Sequence, residues 1–232
     1  MLNLMLVLAN GAFKSGSTWL YVTVQRLTGF PPTPDEYRNP NWRNHSIAPK
    51  KLEDALANLD YHTDNYIVKT HFGKPEERDL ILSYDDVYVL NIKRDIRDVV
   101  VSAYYHEVRS YNYEGSFEEF YWLRGKKVAQ QVIDYHAVWS VQSPRITTAS
   151  YERMLEDFRK EFRQVSAFLG FHPTDETIEE IRAFFQIERI RELWKEENER
   201  ISFFRKGVAG DWRKHFTPDT QADFERWLGI RR

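Results

Sequence analysis

Residues 4–8 form an unbroken apolar run that passes through Ala9 and Asn10 into Gly11-Ala12-Phe13-Lys14-Ser15-Gly16 and on into Ser17-Thr18-Trp19-Leu20. The order is strand, small-residue loop with one lysine, helix, and it constrains the fold more than any other stretch. A continuous apolar run suits a strand buried on both faces. A helix that starts directly after such a loop turns consecutive backbone N–H groups and the positive end of its dipole towards it. The loop is therefore a place to hold an anion.

The remainder of the chain repeats this alternation. Strands are expected at residues 66–69, 87–92 and 145–149, and helices at 17–27 and 49–59, with the rest mostly helical. The pattern predicts an α/β fold, a parallel β-sheet flanked by helices on both faces, in a single domain over residues 1–232. Residues 30–47, rich in proline, asparagine and arginine, read as a long surface loop. At Val99-Val100-Val101 propensity favours a strand. Asp95 as a helix cap, with Asp98, Ser102 and His106 at helical spacing, predicts a helix there instead. Thr217-Pro218 reads as the cap and first residue of the last helix.

Charge and composition narrow the function. The 33 basic and 35 acidic residues leave a net charge of −2, so no basic field invites nucleic acid, and any anion site must be a local cluster. The absence of cysteine excludes disulfides, thiolate catalysis and cysteine metal sites, and agrees with a reducing compartment. The apolar stretch at residues 2–8 is far shorter than the roughly 20 residues of a membrane span and has no basic residue before it. No membrane span and a cytoplasmic location are expected.

The loop nearly fits the phosphate-loop pattern G-x-x-x-x-G-K-[ST]. Gly11 and Gly16 hold the glycine positions, but Ser17 stands where the lysine belongs, and the lysine has moved to Lys14. Such a loop grips a phosphate other than the triphosphate of ATP. A second cluster follows the expected third strand: Arg94 at its end, where ligands of open α/β sheets bind, and Ser102 eight residues later. An arginine suits a phosphate because its planar fork binds two oxygens. Lys69-Thr70-His71 ends another strand, and a histidine titrating near neutrality suits proton transfer. Arg205-Lys206-Gly207 places two cations before a glycine. The other histidines, His45, His62, His106, His136, His172 and His215, are expected to be surface or structural.

These segments together resemble the soluble, cytosolic-type sulfotransferases that use 3′-phosphoadenosine 5′-phosphosulfate (PAPS). Residues 14–20 match the core of that family's 5′-phosphosulfate loop, P-K-[ST]-G-[ST]-[ST]-W-L, with Phe13 in place of the proline. Arg94 to His106 is similar to its 3′-phosphate motif, with Ile96 where proline is usual. Phe203 to Trp212 is similar to its R-K-G-x-x-G-D-W segment, Lys69-Thr70-His71 to its K-T-H element, and Tyr151-Glu152 to its Y-E element.

The resemblance implies a sulfotransferase fold related to the P-loop nucleotide hydrolases, with PAPS as donor, adenosine 3′,5′-bisphosphate (PAP) as product and no metal. It implies that Lys14, Ser15, Gly16, Ser17 and Thr18 cradle the 5′-phosphosulfate. Arg94, Ser102, Arg205, Lys206 and Gly207 would hold the 3′-phosphate, with Trp19 beside the adenine and Tyr151 by the nucleotide. His71 would be the general base, with Lys14 and Lys69 supporting charge on the transferring group and leaving phosphate. The family's phenylalanine on the other adenine face is replaced by Ile187, and its dimerisation element is not preserved at Arg213, Thr217, Pro218 and Ala222.

The acceptor expected is a small molecule, an aromatic or apolar alcohol suited to the set Tyr37, Trp42, Tyr104, Tyr111, Tyr113, Phe120 and Trp122. Selectivity is expected in residues 30–47 and 111–125. Two alternatives stay open. A small-molecule or nucleotide kinase would want lysine at position 17 and a magnesium-binding aspartate at a strand end. A non-catalytic PAP-binding module would have no use for both Lys14 and His71.

Overall fold

The computed structural model describes residues 5–38, 46–59, 64–185 and 207–229. Four parallel strands, β1 (Leu6–Gly11), β2 (Tyr66–Thr70), β3 (Val87–Lys93) and β4 (Ile146–Ser150), form one sheet in the order β2-β1-β3-β4. Leu8 at the centre of β1 lies opposite Val68 on one side and Val89 on the other, and every residue of β1 is buried. β1 runs past the apolar run to Gly11 because polar Asn10 stays paired, opposite Thr70 and Asn91. The chain leaves β1 towards β2 and returns on the far side as β3. The carboxyl ends of β1 and β3 therefore flank the point where the connections diverge, the usual ligand position in such sheets.

The helices are α1 (Ser17–Thr28), α2 (Leu52–Asn58), α3 (Pro75–Leu82), α4 (Ile96–Tyr111), α5 (Phe117–Phe120), α6 (Lys126–Val138), α7 (Tyr151–Glu156), α8 (Phe158–Phe168), α9 (Asp175–Phe184) and α10 (Pro218–Trp227). The valine run at 99–101 is helical, as the cap predicts: the Asp95 carboxylate accepts the Arg97 N–H at 2.9 Å. The Thr217 hydroxyl likewise accepts the Thr220 N–H at the start of α10.

By packing, the chain separates into two units: residues 1–93 with 134–183, and residues 94–133 with 184–232. The first holds the sheet. α1 packs against β1, β2 and β3, and α7 and α8 against β4. The second is built on the apolar face of α4, where Val100, Val101 and Ala103 join Phe117, Phe120, Tyr121, Trp212, Phe216 and Phe224 in one buried cluster. Phe120, at 1% exposure, belongs to that core rather than to an acceptor surface, and Tyr37 is likewise buried. Tyr111 and Trp122 are exposed, and Trp42 lies outside the described residues. Among the described residues no helix is long and apolar enough to cross a membrane.

Candidate functional site

The loop between β1 and α1 is shaped by its own small residues. Ser15, fully buried, gives both its amide and its hydroxyl to the carbonyl of Ala12, at 3.0 and 2.6 Å. These two bonds fold the loop back on itself. Gly11 and Gly16 are required by space: a β-carbon at Gly11 would stand 2.7 Å from Ser15 Oγ, and one at Gly16 2.7 Å from the Tyr151 ring. Gly16 also adopts φ 108°, open to glycine alone at little cost. Lys14 adopts φ 67°, a left-handed conformation that costs a residue with a β-carbon about 1–2 kcal/mol and gathers at ligand sites. α1 then starts at Ser17 with no side chain capping its first turn. An uncapped N-terminus behind a cradle too narrow for β-carbons fits an anionic group.

Beside this loop, β2 ends in Lys69-Thr70, and His71 follows directly. Lys69 is 5% exposed, and no carboxylate among the described residues offsets its burial, which pulls its pKa down to about 8. His71 Nδ1 lies 2.6 Å from the Gly11 carbonyl. A carbonyl only accepts, so Nδ1 carries the proton and Nε2 of the neutral ring is left as the basic nitrogen. Burial, then the charges of Lys69 and Lys14, pull the His71 pKa down to about 3, against a smaller opposing effect of the Gly11 carbonyl. Phe13, 48% exposed, stands edge-on to His71 at 6.4 Å and carries the Lys14 ammonium 5.6 Å above its ring.

A buried polar network fixes these strand ends. The Thr70 hydroxyl donates to Asn10 Oδ1 at 2.9 Å, and Asn10 Nδ2 donates to the Phe72 carbonyl and to Asn91 Oδ1. Trp139 Nε1 donates to the same Phe72 carbonyl at 2.7 Å, and the Tyr135 hydroxyl to Asn91 Oδ1 at 2.8 Å. The residues on both sides of His71 are thus tied to β1. Sequence reading missed this network. Its visible trace was one buried asparagine among the apolar residues of β1 and of β3.

Trp19 and Tyr151 both sit in aromatic packing. Trp19 stacks on Phe158 at 6.2 Å and meets the Tyr151 ring edge-on at 5.4 Å, and its buried indole N–H has no acceptor among the described residues. Tyr151 is 7% exposed and fills the space that Gly16 leaves. Both therefore shape the loop through core contacts.

The second unit carries the other candidates. Arg94 donates through Nη2 to the Val208 carbonyl at 3.4 Å. Asp98, in the first turn of α4, accepts the Gly210 N–H at 2.6 Å and the Trp212 N–H at 2.9 Å. Ser102 follows one turn further along the same face of α4. Gly207 takes a left-handed φ of 61°. Arg97 pairs with Asp95 at 2.6 Å and stacks 3.6 Å from the Trp212 ring. Arg205, Lys206 and Ile187 lie outside the described residues. Among the described residues no three His, Asp or Glu side chains gather as a metal-binding group.

The model of the sulfotransferase domain family matches residues 7–230. The chain belongs to this family. Sulfotransferase 1E1 of Cavia porcellus is 30% identical to this sulfotransferase domain over 194 residues, 76% of this chain and 64% of that protein. Sulfotransferase 1E1 of Homo sapiens is 28% identical over 193 residues, 76% of this chain and 65% of that protein. The domain thus spans just under two thirds of the length of these relatives. Among solved structures it is similar to mouse sulfotransferase SULT7A1 complexed with PAP, with a TM-score of 0.73 and 21% identity over 96% of this chain and 82% of that one. Retinol dehydratase in a complex with retinol and PAP gives a TM-score of 0.70 and 19% identity over 99% of this chain and 81% of that one. At these identities the likeness establishes the sulfotransferase fold.

Proposed function

We propose that this domain moves the sulfuryl group of PAPS to a hydroxyl or amine of a small-molecule acceptor and releases PAP. The observation that carries this reading is a buried lysine, Lys69, with no offsetting carboxylate among the described residues, beside a histidine whose tautomer is fixed by the loop that leads to an uncapped helix N-terminus. Lys14 and Lys69 both act electrostatically on His71, which is tied to the Gly11 carbonyl of the loop that leads into α1.

PAPS supplies an activated sulfuryl group with a phosphate as leaving group. His71 takes the acceptor proton at Nε2, because Nδ1 is committed to the Gly11 carbonyl. Lys14 and Lys69 provide positive charge for the group in transfer and for the phosphate oxygen that gains the bonding electrons. Uptake of an anion by these two lysines also screens the repulsion that holds His71 down, so donor binding raises the basicity of His71. Ser15, Gly16, Ser17 and Thr18 cradle the 5′-phosphosulfate at the start of α1, with Trp19 beside the adenine and Tyr151 by the nucleotide, where their ring contacts also brace the loop. In the second unit Arg94, Ser102 and Gly207, with Arg205 and Lys206, take the 3′-phosphate. One sulfotransferase domain comprising both units is the simplest reading.

On the acceptor side, Phe13 places an exposed ring beside the proton-accepting histidine, which suits an aromatic or apolar alcohol. Retinol and androsterone, bound in the solved retinol dehydratase structures, are of that chemical type. The kinase alternative gains nothing, since serine occupies position 17.

The test is transfer of labelled sulfuryl from PAPS to a panel of phenols and apolar alcohols. Label is expected in the acceptor with the wild-type protein. His71→Ala is expected to lower turnover by about 10²–10⁴-fold while PAP affinity stays within about twofold. Loss of PAP binding in that variant would remove His71 from the role of base.

A further inference from the structure

We infer that Asp98 is the positioning residue of the 3′-phosphate site: its buried carboxylate fixes the 207–212 segment, and Arg94 with it, for a phosphomonoester. The inference rests on the donor reading above and adds a residue that makes no contact with the nucleotide in that reading.

Asp98 is 1% exposed, in the first turn of α4. A carboxylate taken out of water must be repaid by strong donors. Here the donors are two backbone amides two residues apart, Gly210 N–H on Oδ2 at 2.6 Å and Trp212 N–H on Oδ1 at 2.9 Å. Both oxygens are therefore committed to one short stretch of chain more than a hundred residues away in sequence. The same stretch is held twice more. The Val208 carbonyl accepts from Arg94 Nη2 at 3.4 Å, and the Trp212 ring is covered by the Arg97 guanidinium at 3.6 Å. Arg97 is itself oriented by Asp95 through bonds of 3.0 and 2.6 Å.

The spacing gives this clamp its purpose. Asp98 lies four residues after Arg94 and four before Ser102, between the two groups assigned to the 3′-phosphate. A carboxylate in that place would repel a phosphate if it faced it. Aimed at two amides instead, it is partly neutralised and holds the backbone that directly follows Arg205-Lys206-Gly207. Asp98 thus sets where Gly207 is presented and, through Val208, restrains Arg94.

The experiment compares PAP with 5′-AMP by calorimetry, because the two ligands differ only in the 3′-phosphate. The wild-type protein is expected to prefer PAP. Asp98→Asn keeps one acceptor oxygen and turns an N–H towards a backbone N–H. It is expected to weaken PAP at least 10-fold, on the order of 1.4 kcal/mol, and to leave 5′-AMP within about twofold. A folded Asp98→Asn protein that keeps the wild-type ratio of PAP to 5′-AMP affinity overturns the inference, as does equal loss for both ligands.

Wild-type protein offers a second route if the variant does not fold. Amide hydrogen exchange at Gly210 and Trp212 should slow more with PAP than with 5′-AMP, and equal slowing contradicts the inference. A wild-type protein with no preference for PAP would instead remove the donor reading itself.

Discussion

His71 shows how a single residue is set up by its surroundings. Its ring is neutral because burial and two nearby lysines penalise the imidazolium, and the Gly11 carbonyl dictates which nitrogen keeps the proton. In the free protein the ring is expected to titrate near pH 3 rather than 6.5, and to move upward when PAP screens Lys14 and Lys69. Two-dimensional NMR of the imidazole nitrogens reads both values, and an unchanged pKa on PAP binding would contradict the screening. Lys69 gives a second prediction. Its folded pKa of about 8 lies below its ordinary 10.5, so the native state sheds its proton first and stability rises with pH through that window. The full effect is about 3 kcal/mol. Lys69→Met should flatten this rise in pH-dependent unfolding, stabilise the ligand-free protein near neutrality and weaken PAP. Phe13→Ala should raise KM for ring-bearing acceptors while PAP affinity holds, measured by steady-state kinetics. Lys14, Lys69 and His71 were legible because each stands in a short local motif. Asn10 and Asp98 were not, because their partners lie 60 to 114 residues away and only folding brings them together.

At the scale of the element, the sequence announces helices through their caps more clearly than strands through their ends. Asp95 and Thr217 cap α4 and α10 as their spacing implies, and the Asp95 cap outweighs the strand propensity of three valines. β1 outlasts the apolar run of residues 4–8, because its hydrogen-bonded register continues through Asn10 to Gly11. What keeps those last residues in the sheet is the amide network of Asn10 and Asn91. Removing one donor from it tests the claim. Tyr135→Phe leaves Asn91 Oδ1 with the Asn10 amide alone and is expected to cost about 1–2 kcal/mol in denaturant unfolding. No loss of stability would show that the network does not hold the strand ends.

Across the whole molecule, the candidate groups fall into two packing units. The sheet unit carries the loop, Lys69 and His71, and the helical unit carries Arg94, Asp98, Ser102 and Gly207. PAP and 5′-AMP differ only in the 3′-phosphate, so comparing their affinities isolates the contribution of the proposed 3′-phosphate groups. The acceptor half is the part least visible in sequence, because packing rather than motif decides which aromatic side chains are exposed: Phe120 and Tyr37 are core, whereas Phe13 stands open beside His71. The first measurement is calorimetric titration of the wild-type protein with PAP, 5′-AMP and ATP in the absence of magnesium. A preference for PAP over 5′-AMP of about 100-fold, on the order of 2.7 kcal/mol, is expected. Equal affinities, or tight ATP binding that appears only when magnesium is added, would contradict a sulfuryl-donor site.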